Sequence, residues 1–209
     1  MKRVGVLGTG QMGVGIAQVL AQTGHEVLLW NRTEESLEWG LTAIRKGLDR
    51  LLKKARISQL DHKDTLAHIR GVVAPEELKA ADIVIEAIPE DLNLKKELYA
   101  RLHLICADDV IFASNTSSLS VTSLARDSGR PEHFIGMHFF DPVQVMKLVE
   151  IVRGLATSGE TTERVRALAI LESLQREFGD PRYRPCSLLR KYVEAGWFGS
   201  KTSRGFYTY

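Results

Sequence analysis

His138 and Glu150 are the residues whose types and setting suit proton transfer. His138 stands in Gly136-Met137-His138-Phe139-Phe140-Asp141-Pro142, and Glu150 ends Lys147-Leu148-Val149-Glu150. Imidazole is the side chain whose ordinary pKa lets it take and return a proton near neutral pH, and a carboxylate behind it fixes the tautomer and stabilises the imidazolium. On their neighbours alone, two plainer readings stay open. A histidine in an apolar run also suits a hydrogen-bonded core position, and Glu150 also suits a strand end or a lysine partner.

Proton transfer of this kind needs an acceptor for the rest of the chemistry, and the start of the chain supplies the setting for one. Lys2 to Leu7 is a short apolar run of strand type, followed by Gly8-Thr9-Gly10-Gln11-Met12-Gly13 and then by Val14 to Ala21, apolar at helical spacing and closed by Gly24. A glycine turn between a strand and a helix is the dinucleotide fingerprint. Gly8 permits the tight turn, Gly10 lets the backbone approach a pyrophosphate, and Gly13 allows helix to pack on strand, while the helix N-terminus faces the negative charge. The second strand, Glu26 to Trp30, delivers Asn31-Arg32-Thr33 where a ribose reader is expected, roughly 20 positions after the first glycine. Asn31 carries no charge, and Arg32 can pair with a 2′-phosphate, so the choice tilts from NAD to NADP. Glu34 and Glu35 weaken the local positive field.

The elements that must position these residues alternate along the chain. Ser36 to Arg56 has the spacing of a long helix, with Leu37, Leu41, Ile44, Leu48 and Leu51 on one stripe and basic residues elsewhere around it. Ile83 to Ile88 is a buried-type strand leading into Pro89-Glu90-Asp91, Leu92 to Ile105 is helical, and Val110 to Ala113 is a strand opening into Ser114-Asn115-Thr116-Ser117-Ser118. Phe134 to Met137 and Leu148 to Val152 are strand-like, and a helix runs from about Thr161 to Gln175. The fold expected is α/β, a doubly wound Rossmann-type sheet whose ligands sit beyond the carboxyl ends of its strands, where Glu90, the Asn115 to Ser118 loop and His138 all fall.

Composition bounds the setting. At 209 residues, 44% hydrophobic and 26% charged, the chain can bury a substantial core. A net charge of +2 gives no case for nucleic acid. A strand starting almost at once leaves no room for a signal peptide, and no apolar run reaches the roughly 18 residues of a membrane span, so a cytoplasmic protein is expected. Cys106 and Cys186 lack metal-ligand spacing and suggest reduced thiols; no metal is expected.

Together these segments resemble the 3-hydroxyacyl-CoA dehydrogenases, and most closely the bacterial 3-hydroxybutyryl-CoA dehydrogenases. The resemblance rests on the glycine turn, Ala113-Ser114-Asn115-Thr116-Ser117-Ser118, Gly136 to Phe140, Lys147 to Val152, and a tail from Leu188-Leu189-Arg190 to Gly205-Phe206-Tyr207. It implies an oxidoreductase that exchanges a hydride between a nicotinamide cofactor and short-chain 3-hydroxyacyl-CoA or 3-oxoacyl-CoA, in fatty-acid or butanoate metabolism. It further implies that His138 is the base for the 3-hydroxyl, that Glu150 holds it, and that Ser117 hydrogen-bonds the reacting oxygen. Glu90 and Lys95 match positions near the cofactor's ribose and nicotinamide end, and Asn115, in the loop that carries Ser117, is likewise a cofactor-side position. Arg50 and Lys54 match basic positions that meet the phosphates of coenzyme A.

Three departures stand out. Asn31 replaces the family's usual Asp, and Asp141 replaces the Asn that usually comes after Phe-Phe near the nicotinamide. Most importantly, after Phe178 the family continues with a strand, a Pro-Gly-Phe-Val-x-Asn-Arg motif and several helices, whereas here Phe178-Gly179-Asp180-Pro181 joins directly to the terminal segment. The expected organisation is therefore a dinucleotide-binding domain over 1–178 and a remnant of the helical substrate and dimerisation domain over 179–209. The missing wall favours an alternative, a nucleotide-binding module that is weakly active or inactive. It also leaves apolar surface that self-association would cover, so a homo-oligomer is expected.

Overall fold

In the computed structural model, which describes residues 3–146 and 148–168, the chain forms one mixed sheet with helices on both faces. The strands are β1 (Arg3–Leu7), β2 (Glu26–Trp30), β3 (Ile69–Val72), β4 (Ile83–Glu86), β5 (Ile111–Ser114), β6 (Phe134–Phe139) and β7 (Val149–Arg153). They lie in the order β3-β2-β1-β4-β5-β6-β7. The first six are parallel, and β7 runs antiparallel to β6. Val4, Val6, Leu7, Ile83, Val84, Ile85, Ile111 and Phe112 are all fully buried. Near-continuous burial along a strand is what a parallel sheet covered on both faces demands, and it explains why these runs lack an alternating pattern.

The helices are α1 (Gln11–Gln22), α2 (Glu34–Lys53), α3 (Gln59–Ala67), α4 (Leu92–Ile105), α5 (Val121–Asp127) and α6, described over Gly159–Leu168. From β1 the chain winds outward to β2 and β3, then returns to β4 and winds the other way. Right-handed crossovers therefore put α1, α2 and α3, which pack on one another, on the face opposite α4 and α5. The reversal between β1 and β4 opens a crevice at the carboxyl edge of the sheet, the usual ligand position in such folds. Under it, Tyr99 of α4 is fully buried, with its ring 5.5 Å from that of Phe112 and 4.9 Å from that of Phe134.

Several boundaries differ from those expected, for local reasons. α2 begins at Glu34 rather than Ser36 because Thr33 caps it, its hydroxyl accepting from the Ser36 N–H. It stops at Lys53 rather than Arg56, since Ala55 takes a left-handed φ of 51°. β4 ends at Glu86 rather than Ile88: the Ile88 N–H leaves the ladder and turns back onto the Glu86 carboxylate at 2.8 Å. β5 is displaced by one residue, to Ile111–Ser114. Three elements escape the periodicity reading altogether. α3 carries almost no apolar stripe and is held instead by a capping box between Ser58 and Asp61. β3 is a short edge strand interrupted by Gly71, and α5 spans two turns. The expected end of α6 at Gln175, the remnant over 179–209, Lys147 and Cys186 lie outside the described residues. Among the described residues, no helix is long and apolar enough to cross a membrane.

Candidate active site

The glycine turn is built as its spacing demands. Gly8 adopts a φ of 102°, and a side chain there would stand 2.7 Å from the carbonyl oxygen of Ala87. At Gly13 a Cβ would lie 2.0 Å from the Gly8 carbonyl oxygen, so only glycine lets α1 start so close to β1. Gly10 differs: nothing lies within 4 Å of its would-be Cβ. That open space, and an α1 N-terminus whose N–H groups have no side-chain cap, fit an approaching pyrophosphate. Met12 is half-buried, while Gln11 is exposed and reaches sideways, its amide donating to both carboxylate oxygens of Asp141 at 2.8 Å. The turn after β1 is thus tied to the loop after β6.

At the end of β2, Asn31 is turned back on the protein. Its Nδ2 donates to the Thr9 hydroxyl at 2.5 Å, and its Oδ1 accepts from the Arg32 N–H at 2.6 Å. The Arg32 side chain is exposed and makes no hydrogen bond or ion pair with the described residues.

Beneath the crevice lies a charged network of which the sequence pointed only to Glu90 and Lys95, and to those as cofactor-side positions. Glu86, fully buried at the end of β4, accepts from Lys95 Nζ at 2.6 Å and Ser114 Oγ at 2.7 Å, with Tyr99 Oη 3.4 Å away. Lys95 is itself 1% exposed, and its ammonium also meets Glu90 at 3.0 Å. Both of its charge partners are protein carboxylates, so it supports the crevice from below. Burial and the neighbouring Glu86 charge push the Tyr99 hydroxyl well above its usual pKa, keeping it a neutral donor to Ala113 at 3.0 Å. The signal for this network was a carboxylate inside the apolar run Ile83 to Ile88, a place where a charge needs a buried partner.

Glu90 organises the loop after β5. Its Oε1 accepts from the Thr116 hydroxyl at 2.5 Å, the Ser117 N–H at 3.1 Å, and the Ser118 N–H and hydroxyl at 3.2 and 3.0 Å. Partial burial alone would raise the Glu90 pKa, but the Thr116 hydroxyl, the Lys95 ammonium and Ser118 overcome it and hold the carboxyl at about 2. Ser117 is exposed, and its hydroxyl has no partner among the described residues. Asn115 is partly buried, and its Oδ1 accepts from the Phe139 N–H at 2.8 Å, fastening this loop to the end of β6.

His138 comes near the end of β6, and its register partner on β7 is Glu150. The short connection between the strands requires them to run antiparallel, and their register sets that carboxylate directly across the ladder, with His138 Nδ1 and Glu150 Oε2 3.1 Å apart. Both side chains reach solvent, at 23% and 57% exposure. An Nδ1–H given to the carboxylate leaves the Nε2 lone pair free to face a ligand. Phe140 lies against the imidazole, with ring centres 4.6 Å apart.

The structure therefore gathers the glycine turn, Asn31, Arg32, Glu90, the Asn115 to Ser118 loop, His138 and Asp141 at one edge of the sheet. It does not gather Arg50 and Lys54. Both are exposed, and they stand 16 and 20 residues beyond Glu34, where α2 begins, or about 24 and 30 Å at a rise of 1.5 Å per residue. Arg50 Nε is engaged with the Lys46 carbonyl at 3.2 Å.

Residues 3–177 match the family model described as 3-hydroxyacyl-CoA dehydrogenase, NAD binding domain. The chain belongs to the 3-hydroxyacyl-CoA dehydrogenase family. A probable 3-hydroxybutyryl-CoA dehydrogenase of Bacillus subtilis is 36% identical over 280 aligned positions, covering 100% of this chain and 98% of that protein. Since this chain has 209 residues, at least 71 of those positions, 280 less 209, have no counterpart in it. Human mitochondrial hydroxyacyl-coenzyme A dehydrogenase is 44% identical over 169 residues, spanning 78% of this chain and 54% of that protein. Among solved structures, the (S)-3-hydroxybutyryl-CoA dehydrogenase of Ralstonia eutropha aligns with a TM-score of 0.78 at 34% identity, covering 100% of this chain and 99% of that one. A nicotinamide dinucleotide is thus the cofactor class of this family dehydrogenase, and the shortening falls within a frame otherwise shared from end to end.

Proposed function

We propose that this family member interconverts short-chain 3-hydroxyacyl-CoA and 3-oxoacyl-CoA in fatty-acid or butanoate metabolism, with NADP(H) preferred to NAD(H), as a cytoplasmic homo-oligomer. The observation that carries the reading is the His138–Glu150 pair standing across the last ladder of the sheet, at the same edge as the glycine turn. The nicotinamide, when bound, supplies the hydride acceptor or donor. His138 Nε2 takes the proton of the substrate 3-hydroxyl, and in reverse returns it to the forming alkoxide. Glu150 keeps the ring in the tautomer that can do so and stabilises the imidazolium. The Ser117 hydroxyl, which has no partner among the described residues, donates to the reacting oxygen, on a loop that Glu90 and Asn115 hold in place. Arg32 takes the 2′-phosphate that distinguishes NADPH, and Arg50 and Lys54 form an outlying basic face for coenzyme A phosphates.

The test is reduction of acetoacetyl-CoA by the purified chain with NADPH and with NADH, beside fluorescence titration of both nucleotides. We expect turnover, tighter binding of NADPH, and loss of most of that preference in Arg32→Ala. Equal affinities in the unaltered chain would remove the NADP assignment. The unmatched positions, at least 71, favour a second reading, a nucleotide-binding module without a complete substrate pocket; nucleotide binding with no reduction of acetoacetyl-CoA would select it.

A further inference from the structure

We infer that Thr9 is a specificity-determining residue for the cofactor, because it fixes what position 31 can offer the adenosine ribose. The inference rests on the nicotinamide dinucleotide reading above. Thr9 is 4% exposed, and its one hydroxyl proton goes to the Ser36 carbonyl in the first turn of α2, at 2.9 Å. A hydroxyl that has given its proton away can only accept further hydrogen bonds. What it accepts is Asn31 Nδ2 at 2.5 Å. The orientation of that amide is fixed independently from its other end, where Oδ1 takes the Arg32 N–H at 2.6 Å. Thr9 has little room to step aside, since a Cβ at Gly40 would stand 2.6 Å from the Thr9 Cβ.

The relay Ser36–Thr9–Asn31 therefore demands a donor at position 31. Asn31 spends one amide hydrogen on Thr9 and one lone pair on Arg32. It retains a single N–H and a single lone pair, not the paired oxygens a carboxylate offers to two ribose hydroxyls. A carboxylate introduced at 31 would point an acceptor at an acceptor unless Thr9 withdrew its proton from Ser36. Discrimination is thus written jointly at positions 9 and 31, and Arg32, exposed and unpaired among the described residues, is left as the charged reader.

The experiment is a double-mutant cycle read as the ratio of NADPH to NADH dissociation constants, by fluorescence titration of the full chain. Asn31→Asp alone should move the ratio towards NADH only modestly. Thr9→Val keeps the branched shape packed on Gly40 but removes the acceptor, and the Thr9→Val/Asn31→Asp double variant should shift the ratio about tenfold beyond the product of the single effects. Thr9→Ser keeps the hydroxyl and should leave the ratio unchanged. Should Thr9→Val fail to fold by circular dichroism, Thr9→Ala carries the same cycle. Single effects that simply multiply would overturn the role of Thr9 and leave the cofactor reading intact. Failure of the unaltered chain to bind either nucleotide would overturn both.

Discussion

At His138 one ring nitrogen is committed and the other has no partner among the described residues, and that asymmetry makes the residue testable. With Nδ1 on Glu150, replacement of His138 by Gln removes the proton acceptor while leaving the nucleotide side of the crevice untouched. We expect kcat to fall on the order of 10² to 10⁴ while the NADPH dissociation constant is little changed. Glu150→Gln should lower kcat less, since the imidazolium loses its counter-charge but the base remains. A His138→Gln chain with full turnover would assign the base elsewhere. Glu90 makes a different, pH-dependent statement. Its folded pKa of about 2 lies below the ordinary value of 4.5, so its ionised form stabilises the fold fully above 4.5, and that contribution is lost as pH falls towards 2. Glu90→Gln should therefore be less stable than the unaltered chain near neutral pH, with the gap between their urea midpoints closing as pH drops through that window. A gap that stayed constant with pH would mean the carboxylate charge contributes nothing.

Among the elements, the turn from β1 into α1 holds one glycine that the packing requires, Gly13, and one, Gly10, that faces open space. Gly13→Ala would press a methyl to 2.0 Å from the Gly8 carbonyl oxygen, and overpacking of this kind costs about 2 kcal/mol or more, seen as a lowered Tm. Gly10→Ala meets nothing within 4 Å, so its Tm should hold while nucleotide affinity falls, because the methyl occupies the space left for the pyrophosphate. Equal affinity in Gly10→Ala would detach that space from the cofactor. The geometry of this turn was legible in the sequence because a glycine turn between an apolar run and a helical stripe has few other uses. β2 and α4 were legible to the residue for a related reason, since buried parallel strands and capped helices leave strong local patterns. The sheet's outer strand and α3 were not: Ile69-Arg70-Gly71-Val72 is too short and mixed, and α3 is defined by its cap rather than by an apolar face. Nor could the sequence show that Glu150 faces His138, because their pairing depends on β7 running antiparallel. Glu86 and its partners were hidden for the same reason: spacing shows a charge in an apolar run but not the lysine and hydroxyls that tertiary structure brings to it.

For the molecule as a whole, at least 71 positions of the shared frame have no counterpart, and the described part carries large exposed apolar side chains. In the described part, the loop joining β6 to β7 leaves Val145 68%, Met146 42% and Leu148 47% exposed, next in the chain to the His138–Glu150 ladder. Leu155, just after β7, is 92% exposed. The exposed apolar side chains of the β6–β7 loop, beside the reactive edge, are costly to leave in water, at roughly 25 cal/mol per Å² of apolar surface, and association is the common way to cover them. We therefore expect the chain to form a dimer or larger assembly that buries this loop. Light scattering on the unaltered chain should give a mass at least twice that of one chain. Val145→Lys with Met146→Lys should then return it towards a monomer that keeps the circular dichroism of the folded chain, since both side chains already lie at the surface. A stable monomer in the unaltered chain would overturn the association, and combined with nucleotide binding but no reduction of acetoacetyl-CoA it would favour the binding module over the working dehydrogenase.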